Sequence, residues 1–340
     1  MKPLRNLHKN ERGVVIIWSA FFMIMMLGFV ALGIDVAKIM ATRTELQNAA
    51  DAAALAGASG LNLETGQLDP DSAVTRAQQT SAYNKAFVDA PVSVTLLAAD
   101  VQVDPNENTC KVTVRRNPST DGAMITHIAQ VLGIKTVDVN ATATAKAERV
   151  CGVCERLAPM AALAPPGEDF QVGCSRTYEL VRGEGDGANG NWQLLSFPDC
   201  TEGQCAGMSG TGGADYLRCL LEHGYACCVD VNDIVDTKPG LNAGPVMSAL
   251  QDRWDADIDR TPNICYTAYR GNGSRVVHVP KTESLGAGRN QVRILGFSAF
   301  FLKQRPVGGG QPVYAEFVYD MVPGNGGNCN SSLFTIRLIQ

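Results

Sequence analysis

The sequence predicts an α+β protein with a long N-terminal transmembrane and stalk helix, a small α+β domain, and then a β-rich disulfide-containing domain. Three observations carry this. An uncharged apolar run lies near the start of the chain, the hydrophobic period changes from helical to alternating after it, and ten of the eleven cysteines fall from Cys151 onward.

Residues Val14 to Ile34 hold no charge over twenty-one positions. At about 1.5 Å per residue they match a hydrocarbon core of about 30 Å. Lys2, Arg5, Lys9 and Arg12 precede the run against Glu11 alone, a net of +3, while the whole chain carries −5. The positive-inside rule therefore expects residues 1–13 in the cytoplasm, 14–34 across the inner membrane in a single pass, and the rest in the periplasm. The rival reading is a cleaved signal peptide with Ala31-Leu32-Gly33 as its cut site, although the run is longer than an ordinary signal core.

No Pro interrupts the chain beyond the membrane and no Gly does so until Gly57, so the helix is expected to continue to about Ser59 as a stalk over 35–61. Ala49, Ala53 and Gly57 recur every four residues beside Ala50, Ala54 and Ala58. Such a face lets another element approach closely. That element is either this protein's own domain or a helix of another chain.

Gly13 before the apolar run, Asp35 at its exit, then Arg43, Leu46, Gln47, Asn48, Ala49, Ala50, Asp51, Ala52, Ala53 and Ala54 form a pattern that resembles the N-terminus of the TadE/TadG-like proteins of the Tad (Flp) pilus system. The resemblance implies a membrane-anchored assembly or scaffold component and no enzyme. Its expected partners are other Tad components, met through the stalk helix and the periplasmic head, and membrane lipid. A homo-oligomer is left open. Pilins of this system carry Glu five residues after the cleaved Gly; here that position is Trp18, which places the chain with the retained TadG-like branch. The D-x-S-x-S metal motif of a von Willebrand A domain is missing. Farther on, Gly190-Asn191-Trp192, Thr237 to Gly240, Arg275-Val276-Val277 and Gly296-Phe297 resemble regions joined to such anchors.

Within 62–150, Asp69-Pro70-Asp71-Ser72 opens a helical pattern that Asp71 or Ser72 can cap. Alternation then marks strands around Val92 to Leu96, Val112 and Val114, and Val137 to Ala147, with Met124 to Ile134 read as a helix bearing His127. Within 151–340, YELVR, NWQLLSF, SRVVHVP, NQVRILGFSAFFL and PVYAEFVYDMV read as strands, and ADYLRCLLEHG as a helix ended by Gly224.

Candidate chemistry is sparse. Cys151, Cys154, Cys174, Cys200, Cys205, Cys219, Cys227, Cys228, Cys265 and Cys329 are disulfide candidates in an oxidising compartment. Cys227 and Cys228 are adjacent and need different partners. Cys151-x-x-Cys154 also fits a redox or metal pair, but lacks the βαβ context and nearby histidines those sites need. Glu184, Asp186, Asn189 and Asn191 alternate with glycines and could wrap calcium, although the spacing departs from an EF-hand and a plain turn explains it. The alternative function is then an envelope or surface binding module, calcium-dependent through that loop. Asp252, Asp255, Asp257 and Asp259 read as a solvated face. No cofactor motif, catalytic nucleophile motif or Walker loop occurs, and the net negative charge argues against nucleic acid.

Overall fold

The computed structural model describes residues 12–86, 92–164, 168–181, 191–208, 213–240, 243–283, 285, 288–308 and 311–339. Helix α1 (Arg12–Ala58) is one uninterrupted element of 47 residues. From Val15 to Val30 every residue is exposed, whereas Leu46, Ala49, Ala50, Ala53, Ala54 and Ala58 are fully buried. One helix thus has two surroundings. Its outer half packs on α2 (Pro70–Tyr83) and on a sheet.

Helix α2 begins one turn earlier than the sequence suggests. Asp69, not Asp71 or Ser72, is its cap, accepting from the Ser72 N–H at 3.3 Å. Pro70 at the first helical position has no N–H to satisfy and is preset for the helix. The helix stops at Tyr83, and the short strands β1 (Lys85–Ala86) and β2 (Val92–Ser93) pair after it. Then come β3 (Val101–Asp104) and β4 (Thr109–Arg116), the two-residue strands β5 (Met124–Ile125) and β6 (Thr136–Val137), and β7 (Val139–Val153).

The expected helix at Met124 to Ile134 is not formed. β5 and β6 pair as a hairpin stem, and between them lies only a 3-10 turn, Ala129–Leu132, closed by Gly133 at φ 88°. β-branched Ile125, Thr126, Ile128, Val131 and Ile134 weaken helix propensity. The decisive cause is that three successive amides are claimed by a distant carboxylate, described below.

β8 (Tyr178–Val181), β9 (Asn191–Ser196), α3 (Ala214–His223), β10 (Val229–Asp230), β11 (Ile234–Pro239) and α4 (Ala243–Asp255) follow. β12 (Val276–Thr282), β13 (Gln291–Leu302), β14 (Val313–Val318), β15 (Asp320–Met321), β16 (Gly324–Gly327) and β17 (Leu333–Leu338) complete the chain. The first large sheet runs β15-β17-β7-β4-β3, with β10 and β16 also paired to β7. The second runs β8-β14-β13-β11-β9, with β12 on β13.

Two features cross the boundary expected at 150/151. β7 runs through it without a break, and β17 returns from the end of the sequence to lie against β7, pairing Phe334 with Arg149 and Leu338 with Ala145. The sheet under α1 is therefore built from both parts of the chain.

Alternation explains the core. Along β7, Ala141, Ala143, Ala145 and Ala147 are buried and join the cluster formed by the Ala face of α1, Leu46, Val112, Val114 and Phe334. On β13, Phe297, Ala299 and Phe301 join one cluster while Phe300 and Leu302 join another with α3 and α4. Gly296 is needed where the chain crosses this strand, because a Cβ there would sit 1.7 Å from the Asn330 carbonyl oxygen.

In the second part, Arg275 is fully buried. Its Nε donates to Leu302 O at 2.8 Å and Nη1 to Asp259 O at 2.8 Å, and its guanidinium lies 3.8 Å from the Trp254 ring centre. The expected solvated acidic face is also revised. Asp257 is buried, where it accepts from the Arg275 N–H and the Tyr269 hydroxyl, and Asp255 and Asp252 pair with Arg305 and Arg218. Buried polar groups need such partners.

Five disulfides join Cys151 to Cys329, Cys154 to Cys228, Cys174 to Cys265, Cys200 to Cys227 and Cys205 to Cys219. Cys110, on β4, is the free thiol among the described residues, and burial pushes its pKa up to about 11. It lies against Gly57, where a Cβ would meet the Cys110 sulfur at 2.4 Å.

Two expectations follow from this contact. Gly57→Ala should destabilise the protein by about 1–3 kcal/mol through overpacking, despite the better helix propensity of Ala, and the added change Cys110→Ala should restore most of the loss. Denaturant melts of the single and double variants measure this. A thiol reagent at pH 8 should leave the folded protein unlabelled and modify one cysteine per chain after unfolding without reductant.

Candidate functional site: the anchor helix and its latch

The motif residues of α1 separate by role. Leu46, Ala49, Ala50, Ala53 and Ala54 face the sheet with no exposed surface, and Ala52 is half-buried. Gln47 donates to Asp51 Oδ1 at 2.7 Å and to the Thr142 carbonyl of β7 at 3.3 Å, so it bridges helix and sheet. Arg43 and Asn48 stay exposed. Gly13 lies in the first turn of α1.

This decides between the two readings of the small-residue face. It is occupied by the protein's own β7 and β4, so a seam between stalk helices of two chains is excluded for that face. Side chains no larger than Ala on both surfaces allow close backbone approach, and the contact is one of dispersion summed over many atoms. Larger residues would force the layers apart.

Asp35 stands where the exposed half of α1 meets the covered half, and only 2% of its surface is exposed. Its Oδ1 accepts from the His127 N–H at 3.0 Å, and its Oδ2 from the N–H groups of Ile128 at 2.8 Å and Ala129 at 2.9 Å. These are the orphan amides at the start of the 3-10 turn, which nothing else in the turn satisfies. The His127 and Ala129 amides, with that of Ile128, hold the carboxyl below its usual range against the opposing effect of burial. Lys38 Nζ lies 3.1 Å from His127 Nε2 one turn farther along α1. A single carboxylate thus latches the 124–137 segment onto the helix where it leaves its apolar stretch.

The other site candidates fall elsewhere. Glu184, Asp186 and Asn189 lie outside the described residues, and Asn191 opens β9, where it pairs with Pro239. Among the described residues no group of three His, Cys, Asp or Glu side chains is placed to hold a metal ion. Cys151 and Cys154 bond to separate distant partners and not to each other, which removes the redox-pair and zinc readings of that motif.

The second part contains a cleft of about 830 Å³ bordered by Glu155, Arg156, Glu222, Tyr266 and His278. Arg253 also borders it, but Nε donates to Ser274 O at 3.0 Å and Nη1 to Leu221 O and Glu222 O at 3.2 and 3.1 Å. Those last two are carbonyls at the C-terminal end of α3, which Arg253 caps. His278 Nε2 is 2.7 Å from Asp320 Oδ2, joining β12 of one sheet to β15 of the other. Burial, and then Asp320, push the Tyr266 hydroxyl pKa up. Arg253, His278 and Asp320 are engaged in holding the fold, and among the described residues no nucleophile is bonded to the His278 imidazole.

Residues 13–60 match the Flp pilus-assembly TadE/G-like family. The chain carries a TadE/G-like domain. The matched stretch is α1 and its C-terminal turn, residues 13–60 of the 340, and the family it resembles there is one of Flp pilus assembly. No curated protein and no solved structure matches the chain.

Sequence reading found Asp35 as a motif residue but not its partners, because backbone amides leave no mark in a sequence. Arg275 stood in a motif of the sequence but its burial and partners did not, and the His278 to Asp320 pair left no mark for a related reason, since these contacts join residues apart in the chain.

The latch has a pH signature. Because the Asp35 pKa is lowered by folding, its contribution is present above the ordinary carboxylate value of about 4 and is lost as the pH falls through the depressed folded value. Asp35→Asn should speed hydrogen exchange at the amides of 127–129 at neutral pH while leaving the amides of β4 and β7 protected. Equal loss of protection throughout both strands would contradict a local latch.

Proposed function

We propose that this chain is a membrane-anchored assembly or scaffold component of a Flp (Tad) pilus or a related secretion system, and not an enzyme. α1 holds it in the inner membrane by a single pass, with residues 1–13 in the cytoplasm and the domains beyond 34 in the periplasm. One observation carries the reading. The segment that matches the family is the helix that exposes apolar side chains on every face at one end and forms the core of a domain at the other.

The basic N-terminal residues support this orientation, and five disulfides suit an oxidising periplasm. Trp18 stands where a pilin would carry its glutamate, which favours a retained TadG-like component over a filament subunit. The buried Ala face directs partner contacts to the exposed residues of α1, such as Arg43 and Asn48, and to the outer surface of the domains. Homo-oligomer formation is compatible with the same surfaces.

The test is affinity purification of the tagged full chain from detergent-solubilised membranes of its native cells, with protease treatment of spheroplasts alongside. Recovery of at least one other pilus-assembly protein, and digestion of the domains from the periplasmic side, are expected. A chain that purifies without any other pilus component, or resists protease until the inner membrane is opened, would contradict the proposal.

A further inference from the structure

The 124–137 segment has apolar side chains with no partner in the fold. Met124 is buried in the core under α1, but Ile125 is 62% exposed, Val131 83% and Ile134 51%. Lys135 beside them is exposed as well. A turn bearing three uncovered branched aliphatics is unusual on a water-facing surface.

Its position accounts for it. The contacts along α1 are ordered: the His127 ring meets Lys38, the amides of 127–129 meet Asp35 one turn earlier, and Ala31, a further turn earlier on the same face, is half-buried. The segment therefore descends along α1 toward the apolar stretch as it runs from its stem to its tip. Val131 is two residues beyond Ala129, which limits its Cα to about 7 Å from one that touches Asp35. That keeps the tip near Asp35, the residue at which the exposed apolar stretch of α1 gives way to its covered half.

We infer that the turn Ala129–Leu132, with Ile125, Val131 and Ile134, is a lipid-contacting wedge that rests in the headgroup and acyl boundary of the leaflet that α1 enters. This rests on the anchoring of α1 proposed above. Continuity with the helix argues for lipid over a protein partner: Asp35, which holds the turn, is flanked along α1 by the exposed apolar residues Ile34 and Val36. Aliphatics at this depth are favoured by burial in the interface, and the exposed Lys135 falls where a lysine reaches anionic headgroups. The role of Asp35 is then to fix the wedge against the helix, so that the domain stands at a set height and tilt above the bilayer.

Depth-dependent quenching tests this. The full chain with Val131→Cys is labelled with an environment-sensitive fluorophore and placed in bilayers of phosphatidylethanolamine and phosphatidylglycerol, with bromine near the headgroup end or deep in the acyl chains. Phe22→Cys and Tyr83→Cys serve as references within the apolar stretch and at the far end of α2, and the native Cys110 is buried. The label at 131 is expected to shift to the blue and to be quenched by shallow bromine more than by deep, with the label at 22 quenched by deep bromine and that at 83 by neither. Quenching at 22 with none at 131 overturns the wedge and leaves the anchor standing. No quenching at 22 overturns the anchor itself, and the wedge with it.

Discussion

The structure depends on the close contact between the Ala face of α1 and the sheet centred on β7. Helix and strand each contribute small residues at their own period: Ala49, Ala50, Ala53 and Ala54 from the helix, Ala141, Ala143, Ala145 and Ala147 from the strand. Because neither surface offers bulk, the two backbones approach closely, and Gly57 opens room for the one sulfur that intrudes. Leu46, fully buried at the near end, adds about 1.5–3 kcal/mol by removal from water. A helix long and apolar enough at one end to cross a membrane is in this way made the core of a domain.

That arrangement creates a problem at the junction, where one helix passes from apolar surroundings to a covering of protein. Asp35 resolves it locally. Its carboxylate gathers three amides of a turn that has no helix to satisfy them, and it spends its own charge where water is scarce. The second sheet is joined to this assembly by packing and polar ties: Val150, Val153 and Leu333 of the first sheet share a core cluster with Phe297 and Phe301 of β13, the Ser332 N–H donates to Phe297 O at 2.9 Å, and His278 meets Asp320. The apolar stretch of α1 is thus continuous with the domain core, with no break in the helix between them.

Much of this was legible from the residues. The long helix, the strands β8, β9, β12, β13 and β14, and the α3 helix ending at Gly224 follow from local periodicity, whereas α4, β11 and β17 went unread. What else escaped is non-local. The Met124 to Ile134 stretch has a helical spacing of apolar residues, but its amides are taken by a carboxylate more than ninety residues earlier. Likewise the return of β17 to β7 joins residues nearly two hundred apart, and the Cys151 to Cys329 bridge accompanies that return. The choice between an internal and an external partner for the Ala face was open in sequence because Ala at this spacing packs equally well on a strand or a helix.

The most direct test of the central claim, that one rigid helix carries both anchor and domain core, is a distance across the junction. Spin labels at the exposed positions Ile24 and Asn48 of the full chain in bilayers should give a single narrow distribution near 36 Å, the span of twenty-four residues at about 1.5 Å each. A broad distribution, or one centred well below that length, would mean that the helix bends or breaks at Asp35 and would contradict the account.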